Sequence, residues 1–178
     1  IENIITTQDD LYQSTYQAKE FTSTDAKEVH RYAKALEVGY ELISTTGLLT
    51  NSTIIKVQQT IENNTAGFRT QAGTTLINDK TKEVIYTPPQ TKEEVLSLMS
   101  ELENFINIDE LANYDVLVKM AMIHHQFESI HPFYDGNGRT GRIINILYLT
   151  KKNILGTPIL YLSRFINQNK DEYYNLLQ

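Results

Sequence analysis

The sequence contains no cysteine. That excludes disulfides and thiolate metal sites, and it suits a cytoplasmic setting. No apolar run approaches the ~20 residues that span a bilayer, and no signal-peptide pattern opens the chain. No internal repeat, low-complexity segment or linker interrupts it. An excess of positive charge is also missing: the formal net charge is −6. A segment that binds nucleic acid non-specifically wants a basic face, so this segment offers none. What remains is 178 residues, 40% of them hydrophobic, enough for one domain with a sizeable core. The chain begins with Ile1 and stops at Leu176-Leu177-Gln178 within a helical pattern, so the reading is a fragment of a longer chain.

Periodicity predicts helices in most of it. Thr24-Asp25 forms an N-cap pair before a helix with Ala26, Val29, Ala33, Leu36, Tyr40 and Ile43 on one stripe. Gly47 stops it, and Asn51 or Ser52 caps a second helix through Ile54, Val57 and Ile61. Thr91 with Glu94 fits a capping box for a helix carrying Val95, Leu98, Met99, Leu102, Phe105 and Ile106. Tyr114 or Asp115 starts the next, ended by Pro132. The strongly apolar Ile143, Ile144, Ile146, Leu147 and Leu149 place a further helix at the centre. Two short helices close the chain, at Tyr161 to Phe165 and Lys170 to Leu177. Between the second and third helices, Thr74 to Ile77 and Glu83 to Tyr86 flank Asn78-Asp79-Lys80-Thr81-Lys82 as strand, turn, strand. A lone hairpin is marginal, so it must lean on helices, and its edges stay open to an extended partner. The fold class is all-α with one β-hairpin.

The polar residues concentrate in His131-Pro132-Phe133-Tyr134-Asp135-Gly136-Asn137-Gly138-Arg139-Thr140-Gly141-Arg142. Gly136, Asn137 and Gly138 precede a helix, where backbone N–H groups can converge on an anion and the helix dipole favours negative charge. Arg139 and Arg142 are three apart, on one face of that helix start, and guanidiniums there can hold phosphates. Asp135 is the kind of single carboxylate that holds Mg²⁺ among phosphates. His131 has the pKa range of a general base. Each part alone has a plainer reading: a turn, a solvated arginine pair, a structural cap. Phe133 reads as a core peg. The co-occurrence of all of them in this order points to a phosphate site.

His-Pro-Phe-x-Asp-Gly-Asn-Gly-Arg-x-x-Arg resembles the signature of Fic-domain proteins, with every position filled. Phe127-Glu128-Ser129-Ile130, Ala66-Gly67-Phe68-Arg69 and Tyr86-Thr87-Pro88-Pro89 extend the resemblance over nearly the whole chain. It implies a Fic-type helical bundle over 24–178 with the hairpin, at about 71–87, as a flap over the active site. It implies a protein adenylyltransferase that transfers AMP from ATP to a Ser, Thr or Tyr hydroxyl. By position, His131 would be the base and Asp135 the Mg²⁺ ligand. Gly136, Asn137 and Gly138 would form the anion hole, with Asn137 near the α-phosphate and Thr140 and Gly141 in the same nucleotide-binding run. Arg139 and Arg142 would grip the β- and γ-phosphates. Fic-like kinases of the Doc type carry Lys near Gly138, so glycine here favours AMP transfer. Thr75, Leu76 and Ile77 are the flap residues expected to align a target strand. Tyr173 and Tyr174, and more weakly Leu177, resemble the adenine-pocket wall. Of His124 and His125, one is a candidate to support the loop, against plainer core or surface roles.

The resemblance also makes residues 1–23 an inhibitory segment, cut off upstream. Glu2-Asn3 looks like the end of the family's (Ser/Thr)-x-x-x-Glu-(Gly/Asn) motif, and the implied role of Glu2 is a salt bridge to Arg142. The implied partners are ATP, a target protein presented to the flap, the chain itself as a target, and a second copy in a homodimer; no membrane and no nucleic acid enter through this segment. Three other readings stay open: removal of AMP, transfer of another phosphate-containing group, and a nucleotide-sensing regulatory module.

Overall fold

The computed structural model describes residues 24–77, 82–111, 114–160 and 162–177. Helix α1, Thr24–Thr46, packs against α2, Asn51–Glu62, and joins it through a four-residue connection. The hairpin follows as β1, Leu76–Ile77, and β2, Val84–Tyr86. Then come α3, Lys92–Asn107; a single 3₁₀ turn, Asp109–Leu111; α4, Val116–Ile130; and α5, Asn137–Lys151. The short α6, Leu162–Gln168, and α7, Lys170–Leu177, complete the described chain. The all-α class with one antiparallel hairpin is as expected.

The centre is α5, which packs on α1, α2 and α4. Its residues from Thr140 to Leu149 are all buried, the signature of a helix enclosed on every side. Ile143, Ile144, Leu147 and Tyr148 share one core with Ile54, Val57, Ile61, Met99, Ile123, Phe127 and Phe133. Burying each such side chain contributes roughly 1.5–3 kcal/mol. That core is the platform from which the 131–142 loop projects.

Local chemistry sets the helix ends. Thr91 and Glu94 form the reciprocal capping box, and Asp115 caps α4 through the N–H groups of Leu117 and Val118. Helix α2 departs from the expected cap. Its N-cap is Thr50, whose side chain accepts from the Thr53 N–H, rather than Asn51 or Ser52. Asn51 instead turns its amide to the Met99 carbonyl at 3.0 Å. The apolar stripe of α1 is also rotated from the expected line. Ala33 is exposed, and the buried row is Ala35, Gly39 and Ile43. Gly39 is the reason: a Cβ there would stand 2.6 Å from Leu147 Cδ1, so its bare backbone lets α1 approach α5. Thr24 and Asp25, expected as the N-cap pair, are the first described residues of α1, and the residues before them lie outside the described residues.

The hairpin strands are shorter than the sequence pattern. Gln90 explains part of this: its Oε1 accepts from the Gly73 N–H at 2.8 Å and its Nε2 donates to the Thr74 carbonyl at 2.9 Å. A side-chain amide thus takes backbone groups a longer β1 would have paired. The register, Leu76 with Tyr86 and Ile77 with Val84, contains an irregularity between Leu76 and Ile77. The turn at 78–81 lies outside the described residues. Helix α6 is described from Leu162 and runs on to Gln168, beyond the expected Phe165.

Candidate active site

The site is built where α4 ends and α5 begins. Pro132 cannot continue α4, and His131 closes it in a left-handed conformation with φ 48° and ψ 58°. Phe133, 1% exposed, then plugs into the core beside Phe68 and Phe127. Asn137 ties the loop into a ring. Its Oδ1 accepts from the Phe133 N–H at 2.9 Å and its Nδ2 donates to the Phe133 carbonyl at 2.9 Å. The Asn137 side chain is therefore occupied by backbone, and what it presents at the helix start is its own N–H.

Gly136 is the N-cap of α5 at φ 78°, and no side chain caps this helix. The first-turn donors of α5 thus face the loop opening, the geometry of an anion site. A Cβ on Gly136 would run into the Glu62 carboxylate, so glycine is required by conformation and by space. Asp135 is exposed and its Oδ1 accepts from the Gly136 N–H at 2.7 Å. Gln58, itself 2% exposed, steadies it from below by donating to the Asp135 carbonyl at 3.1 Å.

His131 is partly buried. Burial pushes its imidazole below the ordinary pKa; the Glu128 backbone opposes this, the Arg69 charge adds to it and Asp135 opposes it. The ring therefore stays neutral, and able to accept a proton, at a lower pH than an exposed histidine. Its Nδ1 is buried.

Arg139 donates to Glu62 at 2.8 Å and lies 3.5 Å from Glu28. Burial raises the Glu62 pKa, with Arg139 opposing and Asp135 reinforcing. Arg142 is buried, and its charge helps lower the pKa of His124. Thr140 is fully buried, and Gly141 sits under α4: a Cβ there would be 2.5 Å from Glu128 Oε1 and 3.1 Å from the His124 ring. These two positions pack the base of the loop and do not line its opening.

Of the remaining candidates, Tyr173 is brought toward the site by a 2.7 Å hydrogen bond between its hydroxyl and His124 Nε2. Tyr174 stands edge-on to Tyr173 at 5.2 Å between ring centroids and is half-exposed. Thr75 and Ile77 are exposed on the hairpin, and Leu76 is half-buried. Glu2 lies outside the described residues. His124 is the supporting histidine, and His125 is exposed. Sequence reasoning missed Glu62, Glu28 and Gln58, which come from α1 and α2 and carry no local signal. It noted Arg69 without a role.

Asp135 can hold a divalent cation in one way. Among the described residues no group of three or more His, Cys, Asp or Glu side chains could cage an ion. One exposed carboxylate beside an anion cradle fits Mg²⁺ bound jointly with phosphate oxygens and water.

An all-helical platform, a histidine-bearing loop feeding an uncapped helix start, and one antiparallel hairpin among the described residues define the architecture. The chain belongs to the Fic/DOC family. The family model described as "Fic/DOC family" matches residues 48–149, more than half the chain, and "Fic/DOC family N-terminal" matches residues 1–41. A "Protein adenylyltransferase Fic" of Aedes aegypti is 32% identical over 81 residues, 46% of this chain and 15% of that protein. The same-named protein of Culex quinquefasciatus is 33% identical over the same lengths. The alignment thus spans about 15% of the length of these curated relatives. A Fic family protein of Desulfovibrio desulfuricans superposes with TM-score 0.77 at 22% identity, covering 99% of this chain and 52% of that one. A Fic domain-containing protein of Bacteroides thetaiotaomicron gives 0.75 at 20% identity, covering 99% and 66%. Those two likenesses establish the fold. Among the described residues no helix is long and apolar enough to cross a membrane.

Proposed function

We propose that the chain is a protein adenylyltransferase, transferring AMP from ATP to a Ser, Thr or Tyr hydroxyl of a target protein. The observation that carries this reading is the pairing of a neutral, partly buried His131 with an uncapped helix start and Arg139 within one loop. A phosphate-binding module needs the cradle; only group transfer needs the base. The names of the mosquito relatives support the choice of group.

In this reading His131 Nε2 takes the proton of the target hydroxyl. The hydroxyl oxygen bonds to the α-phosphorus, the bond from that phosphorus to the bridging oxygen breaks, and pyrophosphate leaves. The amides of Asn137 and Gly138 receive charge on the phosphates, the Gly136 N–H being already donated to Asp135, and Arg139 and Arg142 neutralise the leaving group. Mg²⁺ held by Asp135 would add charge neutralisation at the phosphates when bound. The exposed Ile77, Val84, Ile85 and Tyr86 leave the hairpin open to strand addition by a target segment. Tyr173 and Tyr174 would wall the base. Glu2, in the stretch matched by the N-terminal family model, would restrain Arg142 until released.

The test is incubation with α-labelled and γ-labelled ATP and Mg²⁺, using the chain itself as acceptor, with Glu2→Gly to relieve inhibition. Label from the α-phosphate alone is expected, lost by about 10²–10⁴-fold in His131→Ala. Label only from the γ-phosphate would refute AMP transfer. ATP binding without label, even in Glu2→Gly, would favour a sensing module.

A further inference from the structure

Arg69 lies outside the 131–142 loop and touches it at two carbonyls, those of His131 and Pro132. The residue is 1% exposed. Its Nε donates to the His131 carbonyl at 2.7 Å, and one terminal nitrogen donates to the Ile130 carbonyl at 3.2 Å and the Pro89 carbonyl at 2.5 Å. Its own backbone N–H donates to the Pro132 carbonyl at 2.8 Å. The Ile130 and His131 carbonyls belong to the C-terminal end of α4, where orphan acceptors and the negative end of the dipole welcome a cation.

Two features make this more than a helix cap. First, His131 holds a left-handed backbone at φ 48°. A non-glycine residue there stores about 1–2 kcal/mol, which persists only where the surroundings over-determine it. Arg69 grips the carbonyls of His131 and of both its neighbours. Second, Pro89 lies beyond the hairpin: Arg69 precedes β1 and Pro89 follows β2. The Arg69–Pro89 contact therefore closes the base of the flap. Gln90 closes it separately through Gly73 and Thr74, without touching the loop.

We propose that Arg69 is a positioning residue, a single guanidinium that fixes the flap base and the His131 backbone in one frame. The inference rests on the roles of His131 and the flap proposed above. A target strand laid along the hairpin is then registered against the base. Such registration matters because a misplacement of about 1 Å can cost ~10²-fold in rate. Lysine cannot substitute. Its single nitrogen lacks the planar fork that reaches carbonyls on both sides at once.

The experiment is hydrogen–deuterium exchange on the nucleotide-free chain, comparing the parent with Arg69→Gln, Arg69→Lys and Gln90→Ala. Arg69→Gln is expected to speed exchange by about tenfold or more, as loss of charge-assisted hydrogen bonds implies, in two regions: residues 70–90 and 129–135. Gln90→Ala should speed only residues 70–90. In the AMP-transfer assay Arg69→Gln should lower kcat by about 10²-fold and leave KM for ATP within about twofold, because the phosphate cradle is held by Asn137 instead. Unchanged exchange at 129–135, or a rise in KM with kcat preserved, overturns the proposal. If Arg69→Gln shows no cooperative melt, Arg69→Lys carries the same comparison. If the parent transfers no AMP, the functional reading fails, and the two-region exchange pattern alone upholds or overturns the linkage of flap and loop.

Discussion

Replacing Asn137 with alanine separates two roles for that residue. As a phosphate ligand, its loss would weaken nucleotide binding and leave the fold alone. The structure gives it the other role. Both ends of its amide bond the Phe133 backbone at 2.9 Å, and the side chain is 3% exposed. Alanine leaves one donor and one acceptor without partners, each costing about 1–3 kcal/mol when buried. Tyr134 and Asp135 beside it are exposed, so water relieves part of this, and about 2–4 kcal/mol is the expected loss. A chain of this size shifts its melting temperature by about 2–4 °C per kcal/mol. Far-UV circular dichroism of the ligand-free protein should therefore record a fall of about 5–15 °C. Asn137→Asp keeps the acceptor for the Phe133 N–H, so it should melt between the two. It also puts a negative charge beside the anion cradle, so its ATP affinity should fall further than its stability. An Asn137→Ala protein melting within about 1 °C of the parent while losing ATP affinity would refute the reasoning.

Three further perturbations test the surroundings of the loop. Burial, aided by the Arg142 charge, pushes His124 down to about 4. The unfolded chain therefore binds a proton that the folded chain refuses between about pH 6.5 and 4, so stability is complete above that window and declines as pH falls through it, by up to ~1.4 kcal/mol per unit. His124→Gln should flatten this decline in urea midpoints between pH 7 and 5, and equal losses in both proteins would count against it. Glu62→Gln removes the carboxylate paired with Arg139; with Arg139 in its proposed phosphate role, ATP affinity by calorimetry should rise several-fold, whereas a drop would make Glu62 a positioning partner. Gly136→Ala forces a methyl into the Glu62 carboxylate at a left-handed φ, and should lose about 2 kcal/mol or more in chemical unfolding.

The order of residues in 131–142 was legible because its chemistry is local. A proline ends one helix, glycines open the next, and polar groups within twelve positions must lie near one another however the chain folds. Helix caps at Thr91 and Asp115 were legible for the same reason, since a cap needs only residues three or four apart. The Thr50 cap was misread by one position because three capping residues stand in a row, and Asn51 is drawn to the Met99 carbonyl across the bundle. Ala33 fell off the core face because Gly39, silent in a hydrophobic pattern, decides which side of α1 meets Leu147.

The sequence by itself determined the family, the all-α class, the single hairpin and the identity of the base, cradle and metal-ligand candidates. These depend on periodicity, turn chemistry and contiguous spacing. The tertiary structure alone decided that Asn137 locks Phe133, that Glu62 stands against Arg139 and Gly136, that His124 meets Tyr173, and that Arg69 joins the flap to His131. Those partners lie 49 to 77 residues apart, the Asn137 contact and the 20-residue span from Arg69 to Pro89 excepted. No local pattern encodes such pairings, because they arise only when packing of the helices brings distant backbone and side-chain groups out of water together and leaves each to find its partner there.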